Sequence, residues 1–429
     1  MTAAPGHRRW FIAGLLGFGV LVNYFDRVNV SVAEQALHAE FGITTIQFTY
    51  LLSAYSWSYA LCQLPSGVLL DRLGVRLVGS ISSLLWGIAT FAAAAATGLT
   101  SFFAARLLLG VGEAPTFPGN AKAVGLWFPE AERSLATAFF DSAAKLGPAI
   151  GVPVFGLLLI EFGWRSSFAA TGLLSVVYFL AFYAFYRSPR DDKHLSAEER
   201  DLIVRGGGHF EERRGPQARS CSLSYLLRQR KVLGLVIGFA SYNYCFYLLL
   251  SWLPSYLSTT MHVDLKHSVL FAGVPWLVAG ITDLVLGGWL VNRLIHRGFD
   301  ASRVRRFVLI AGTACGLGIL GAAYAHTPTS AIVWICISIG GLSAAAPVGW
   351  SIPALIAPDD SAGKLGGILN FGNQLSAIAA PIVTGYVKSA TDSFAWAFVA
   401  ATAFLLLGLA AYGFWLGKIE RIANDRAAA

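Results

Sequence analysis

Charge is what this chain has least of. Asp, Glu, Lys and Arg make up 13% of its 429 residues, against about 25% in a typical soluble domain. Hydrophobic residues make up 55%, and the mean hydropathy is +0.60. So few charges cannot cover a water-exposed surface at this length, which excludes a soluble enzyme, a disordered scaffold and a nucleic-acid-binding domain. Cysteine is scarce as well. The five cysteines form no CxxC pair, and all but Cys221 sit in apolar runs, where Cys acts as a small hydrophobe. Neither a disulfide framework nor a metal site is expected. HExxH, GxSxG, P-loop and Cys/His clusters are missing too, so no catalytic residue and no cofactor are expected. Finally, the apolar run Trp10 to Val22 lies behind His7, Arg8 and Arg9 but is followed by no small-residue cleavage site. It continues into Asn23-Tyr24-Phe25-Asp26-Arg27 and reads as an uncleaved first membrane helix.

What the chain has in abundance is long apolar runs. A membrane helix takes about 20 mainly apolar residues. Such runs fall near 10–36, 46–70, 77–97, 101–127, 134–160 and 166–187, then near 232–257, 268–291, 306–325, 330–356, 365–387 and 394–416. The 45 glycines and 12 tryptophans fit the same setting, since Gly is frequent in membrane helices and Trp at their rims. The expected fold is therefore all-α: twelve membrane helices in two six-helix bundles, 1–187 and 231–429, joined by a linker at 188–230. Within that linker lie Asp191-Asp192-Lys193 and Glu211-Glu212-Arg213-Arg214, which read as a solvated stretch. Of the 32 basic residues, Arg27, Arg106, Lys122 and Lys145 fall inside spans, and Arg165, Lys266 and Lys388 in loops on one side. The rest lie on the side shared by both termini and the linker, which predicts cytoplasmic ends. The net charge of +8 then reflects topology, not a polyanion partner. A monomer in a cell inner membrane is expected.

The halves echo each other. Gly67-Val68-Leu69-Leu70-Asp71-Arg72-Leu73-Gly74-Val75-Arg76 follows the second span, and Gly288-Trp289-Leu290-Val291-Asn292-Arg293-Leu294 follows the eighth, 221 residues on. Equivalent loops in two halves point to parallel repeats that rock about a midplane site in alternating access. The GxxxDRxGxR loop resembles the signature of the major facilitator superfamily, with Asn292 replacing the acid in the second copy. An Asp at a helix end beside Arg can lock neighbouring helices through charge-assisted hydrogen bonds. Asp71, Arg72 and Arg76 are thus expected to gate and not to bind substrate.

Charge at bilayer depth is costly and marks function. Asp26, Arg27, Arg106, Glu113, Asp141, Lys145 and Asp283 lie deep in spans. Lys122 is close enough to a helix end to snorkel. Asn23 and Arg27 share a face of the first helix, with Tyr24 alongside, whereas Asp26 points about 100° away. Arg106, Gly110 and Glu113 share a face of the fourth. Counted at 1.5 Å per residue from the outer ends, Arg106 lies about 8 Å deep, Arg27 about 14 Å and Glu113 about 18 Å. Two crossed pairs are then reachable, Asp26 with Arg106 and Arg27 with Glu113. Such pairs stabilise poorly because desolvation offsets their attraction. The functional reading is that a carboxyl takes up a proton when an anionic substrate claims an arginine, which links proton and substrate binding.

The run Arg106-Leu107-Leu108-Leu109-Gly110-Val111-Gly112-Glu113-Ala114-Pro115-Thr116-Phe117-Pro118 sharpens this. Together with Asn23-Tyr24-Phe25-Asp26-Arg27-Val28-Asn29 and Trp127-Phe128-Pro129-Glu130-Ala131-Glu132-Arg133, it resembles the anion:cation symporter family, which holds sugar-acid, phthalate and sialic-acid permeases. That resemblance implies a proton-coupled importer of a small organic anion (galactonate, glucarate or a related carboxylate). An aromatic-acid permease is the alternative, and a cation or drug effluxer would want an acid-dominated cavity without Arg27. It further implies Arg27 as ligand of the substrate carboxylate, Asp26 and Glu113 as proton-carrying acids and Arg106 as the partner of Asp26. In the second half it implies that Asn373, or secondarily Gln374, contacts substrate. The fifth helix departs from the family, with Asp141 and Lys145 near the place of a substrate-binding Gln. Either these two pair locally at i,i+4, or Lys145 adds a second cation for a dianion. Tyr59, on one face with Gln63, is a candidate hydroxyl donor. Trp350, with Tyr242 and Tyr244, either lines the cavity or packs, as Asn370, Asn373 and Gln374 can also bond between helices. Asp283 is either another protonation site or the partner of a nearby Asn.

Overall fold

The computed structural model describes residues 7–207, 221–358 and 361–423. Glu211 to Arg214 of the expected linker lie outside them. Among the described residues the secondary structure is helical throughout. The first half comprises α1 (Arg8–Val32), α2 (Glu34–Phe41), α3 (Thr45–Ala94), α4 (Leu99–Glu113), α5 (Thr116–Trp127), α6 (Glu130–Phe162), α7 (Trp164–Phe185) and α8 (Ala197–Arg205). The second comprises α9 (Leu223–Arg228), α10 (Arg230–Ser255), α11 (Leu265–Thr282), α12 (Val291–His296), α13 (Ala301–Gly316), α14 (Ile319–Ala323), α15 (Pro328–Ile356), α16 (Ala362–Thr391) and α17 (Ala395–Ala410). Wider π turns extend α10 over Tyr256–Thr260, α11 over Asp283–Leu290 and α17 over Ala411–Leu416.

Nine of these stretches are long and apolar enough to cross a bilayer among the described residues. The other three of the twelve crossings are the first limb of α3, α4 continued by α5, and α16. They carry the polar residues singled out above, among them Tyr59 on α3, Arg106, Glu113 and Lys122 on α4 and α5, and Asn370, Asn373 and Gln374 on α16. These polar residues dilute the apolar signal of the three helices. Glycines make the sharp corners. Gly74 (φ 80°) breaks α3 inside the DRxGxR loop, and Gly163 (φ 81°) separates α6 from α7. Both hold left-handed backbone, which costs a residue with a Cβ.

The chain forms two compact units. One is Met1–Ile43 with Ala54–Arg214, the other Thr44–Ser53 with Gly215–Ala429. In the first, α1 packs closely on α6, where Gly147 sits against Tyr24 and Gly151 against Phe25. Small residues let membrane helices approach in this way. In the second, Asn243 of α10 donates to the Asn373 carbonyl of α16 (2.7 Å) and Ser376 donates to that of Ala240 (2.9 Å). Large apolar side chains such as Leu61, Leu180, Phe307 and Phe414 remain exposed, as lipid contact requires.

The described part of the linker is less solvated than expected. Ser196 caps α8 by accepting from the Glu199 amide, and ion pairs tie Asp192 and α8 to the start of α1. Arg8 meets Asp192 at 2.8 Å, and Arg9 meets Glu199 at 2.9 Å and Glu132 at 2.8 Å. Arg9, Asp192 and Glu199 are buried. An amphipathic helix lying against basic helix ends gains partners there that open solvent does not offer.

Candidate functional site

The densest cluster of buried charge lies in the first unit, where α1, α3 and α4 meet. Gly110 makes that approach possible: a Cβ there would strike the Tyr55 carbonyl and the Ser58 hydroxyl. Ser58 donates to the Leu107 carbonyl (2.6 Å), which seals α3 against α4. With the two helices this close, Arg106 and Glu113, on either side of Gly110, face α1 and α3 together.

Arg27 donates from Nε (2.9 Å) and Nη2 (2.7 Å), both to Oε2 of Glu113. The second oxygen, Oε1, is buried with no hydrogen-bond partner among the described residues. One carboxylate oxygen is thus fully engaged while the other stays open to a proton. The Arg27 guanidinium lies over three tyrosine rings, 4.6 Å from the centroid of Tyr24, 5.1 Å from Tyr55 and 5.5 Å from Tyr59. These π faces stabilise the cation without competing for its N–H donors.

The other expected pair takes a different form. Arg106 is buried, but its Nη1 reaches the Asp26 backbone carbonyl (3.3 Å), not the carboxylate. Its guanidinium lies 5.1 Å from the Tyr55 ring. The Asp26 carboxylate instead accepts from Thr90 on α3 (2.7 Å) and from Ser175 on α7 (3.4 Å). The reason lies in the 100° offset between Asp26 and Arg27: that turn carries the Asp26 side chain toward α3 and α7, where hydroxyls are nearer than Arg106.

Lys145 meets Asp141 at 2.6 Å and stands two residues before Gly147, which packs against Tyr24 of the Arg27 cage. The local pair has formed, and Lys145 stays near the Arg27 cluster. In the second unit Asn373 is buried, and both its side-chain polar atoms lack a hydrogen-bond partner among the described residues, as does Oε1 of Gln374. Trp350 is 39% exposed and packs edge-on against Phe239 at 5.1 Å. Asp283 is buried where α11 widens into its π turn.

In the loop signature, Asp71 pairs with Lys122 at 3.0 Å, while Arg76 lies over the Tyr183 ring at 5.6 Å. Lys122 therefore does more than snorkel: it also donates to the Leu70 carbonyl (2.8 Å), and it is the cation that meets the loop's acid. Sequence reasoning also missed Tyr55, Thr90 and Ser175. Only Tyr55 carried a signal, standing four residues before Tyr59 on the same helical face.

Long membrane-crossing helices around a guanidinium buried in a tyrosine cage have the build of a membrane transporter. The family model described as Major Facilitator Superfamily matches residues 16–381, and the chain belongs to that superfamily. It is 41% identical to an uncharacterized transporter, YybO, of Bacillus subtilis strain 168, over 97% of this chain and 96% of that one. It is 32% identical to a D-galactonate transporter of Escherichia coli O6:H1, over 98% of each. To a probable galactarate/D-glucarate transporter, GudP, of Bacillus subtilis strain 168 it is 30% identical, over 96% of this chain and 93% of that one. These relatives place it in the sugar-acid symporter-like branch of the superfamily. Among solved structures it shares the fold of a bacterial homologue of the human lysosomal transporter Spinster (TM-score 0.74, 16% identity, 96% of this chain and 97% of that one).

Proposed function

We propose that the protein imports a small organic anion, a sugar acid or related carboxylate, together with protons across the cell inner membrane, with both termini cytoplasmic. The observation that carries this reading is the Arg27–Glu113 pair, buried among Tyr24, Tyr55 and Tyr59. An arginine presents a planar fork suited to a carboxylate, and here its partner is an acid that a proton can neutralise. Protonating Glu113 releases Arg27 to the substrate; deprotonation reclaims it and expels the substrate. Asp26, held by Thr90 and Ser175, supplies a second acid beside Arg27. Alternating access by the two six-helix repeats then carries the loaded site from one side to the other.

The energetics require the coupling. An inside-negative potential opposes anion entry by about 2.3 kcal/mol per charge per 100 mV, and one proton per carboxylate removes that term. The relatives named for galactonate and for galactarate/D-glucarate support a sugar acid as cargo. A dicarboxylate is favoured by Lys145, which lies two residues from the Gly147–Tyr24 contact beside Arg27. The test is uptake by proteoliposomes with acid outside. Labelled galactonate or glucarate should accumulate above equilibrium and an uncoupler should abolish it; uptake indifferent to the pH gradient would refute the coupling.

A further inference from the structure

Beyond Glu113 the same helical stripe stays polar. Thr116 and Asn120 follow Glu113 by three and seven residues, which keeps them within about 60° and 20° of it around the axis. They line a cavity of about 20 Å³ together with Ser82 and Trp86 of α3 and Tyr178 of α7. Trp86 Nε1, Thr116 Oγ1 and Asn120 Nδ2 are buried there with no hydrogen-bond partner among the described residues. Ser82 is committed to the Gly112 carbonyl and gives them none. Three polar groups aimed into one small space bear the full cost of desolvation unless something in that space bonds them.

We propose that this cavity is a hydration site and that its water relays protons from Glu113. A space of this size holds a water molecule and little else. None of its lining residues is charged, so a bare ion would find no countercharge. The indole N–H and the amide N–H donate to the water oxygen, and the Thr116 hydroxyl completes the shell. The site is also placed for a relay. Glu113 stands one turn away on one side, and Lys122, paired with Asp71, stands two residues beyond Asn120 on the other. Asp26 and Thr90 line a separate cavity with Arg106, so the relay serves Glu113 and not the second acid. In the relay the Asn120 amide lets go of the water oxygen. The Glu113 O–H bond breaks as a new O–H forms on the lone pair so freed, and the water's opposite O–H breaks as its proton passes to solvent water beyond Asn120. The water is regenerated and one proton has moved. This step rests on the proton-coupled reading above; the water site itself does not.

X-ray hydroxyl-radical footprinting of the purified full chain reads the water directly. Trp86 and Tyr178 should be labelled at least fivefold faster than Trp252, which is equally buried but bonded to the Pro381 carbonyl. Thr116→Val with Asn120→Leu should remove that excess, and Thr116→Ser should keep it. In proteoliposomes Asn120→Leu should cut pH-driven uptake about tenfold while substrate exchange, which moves no net proton, stays within twofold. Trp86 labelled no faster than Trp252 would overturn the hydration site. Uptake and exchange falling together, or neither falling, would overturn the relay. If the wild-type protein ignores the pH gradient, the proposed coupling fails and the relay with it, while footprinting still decides the water.

Discussion

In the first unit five ionisable groups, Asp26, Arg27, Arg106, Glu113 and Lys145, lie buried beside amides and hydroxyls such as Asn23, Asn29 and Thr171. In the second the buried polar groups are amides and hydroxyls, such as Asn243, Asn373, Gln374 and Ser376, with Asp283 the one buried charged residue among those described. The loops at Gly67 and Gly288 echo each other, yet buried acids and bases cluster in one unit, while the other has the single acid Asp283. An ion pair can be made and unmade by titration, whereas an amide offers the same donors and acceptors at every working pH. On the proposed function, energy coupling and the anchor for the substrate carboxylate belong to the first unit, and neutral contacts to the substrate belong to the second. This division also ranks the substitutions, because leaving a buried charge without its partner costs about 3–5 kcal/mol and losing a neutral hydrogen bond about 1 kcal/mol.

Arg27→Ala should therefore have the largest effect. It strands Glu113 and removes the fork for the substrate carboxylate, so uptake should fall at least 100-fold, near the lower bound set by about 3 kcal/mol. Arg27→Lys should restore little, since a point charge does not reproduce the planar fork. Initial-rate uptake on protein shown monodisperse after purification is the measurement. More than a tenth of wild-type activity in Arg27→Ala would break the assignment of binding energy to the first unit.

Next comes Glu113→Gln, a mimic of the protonated acid. Arg27 is then permanently available, so pH-driven accumulation should drop about 10- to 100-fold while exchange of internal for external substrate survives. Asp26→Asn should behave alike, though less severely, because Thr90 and Ser175 still find an amide oxygen to bond. If exchange vanished with accumulation in both variants, the acids would be structural and the contrast between the units would lose its basis.

In the second unit Asn373→Ala should raise the KM about three- to tenfold with little change in dependence on the pH gradient, the scale of one lost hydrogen bond. A loss as large as that of Arg27→Ala would show that the neutral half carries the binding energy after all.

How much of this could be read from the residues alone follows the same contrast. Charge in an apolar run is rare, so Asp26, Arg27, Arg106 and Glu113 stand out, and helical geometry brings Arg27 to Glu113. The loop repeat exposes the two-half plan, and the apolar runs give nearly all helix positions. What stays hidden is whatever depends on neutral or distant partners. Thr90 and Ser175 look like any hydroxyl in a membrane helix, yet they and not Arg106 hold the Asp26 carboxylate. Lys122 finds Asp71 from 51 residues away, a meeting set by how α5 packs on the end of α3. The polar stripe through Thr116 and Asn120 is visible as a pattern, but only packing shows that Trp86 closes a cavity against it.

Lys145→Gln sharpens the comparison inside the first unit. With Asp141 pairing it at 2.6 Å, Lys145 already has a counter-charge, so its removal should not abolish transport. Competition between a sugar monoacid and its diacid should shift severalfold toward the monoacid. Unchanged preference would leave Arg27 as the sole cation that reads the substrate and would make the Asp141–Lys145 pair a local brace.

The smallest effects belong to the rims, where the units cease to differ. In the first, Trp164 and Arg165 hydrogen-bond to Glu40 and hold its carboxyl below the usual range. In the second, Lys231 and Lys418 do the same to Glu420. Both carboxyls are more acidic folded than unfolded, so each adds stability that is complete at neutral pH. That contribution shrinks as the pH falls below the ordinary carboxylate range and is gone once the folded group is itself protonated. Both are solvent-exposed pairs, so the contributions are small. Glu40→Gln and Glu420→Gln should each lower the melting temperature slightly at pH 7, and the difference from wild type should vanish in acid, with transport unaffected. A substitution that slowed uptake at neutral pH would give that rim a part in the transport cycle that its solvent-exposed pairing does not suggest.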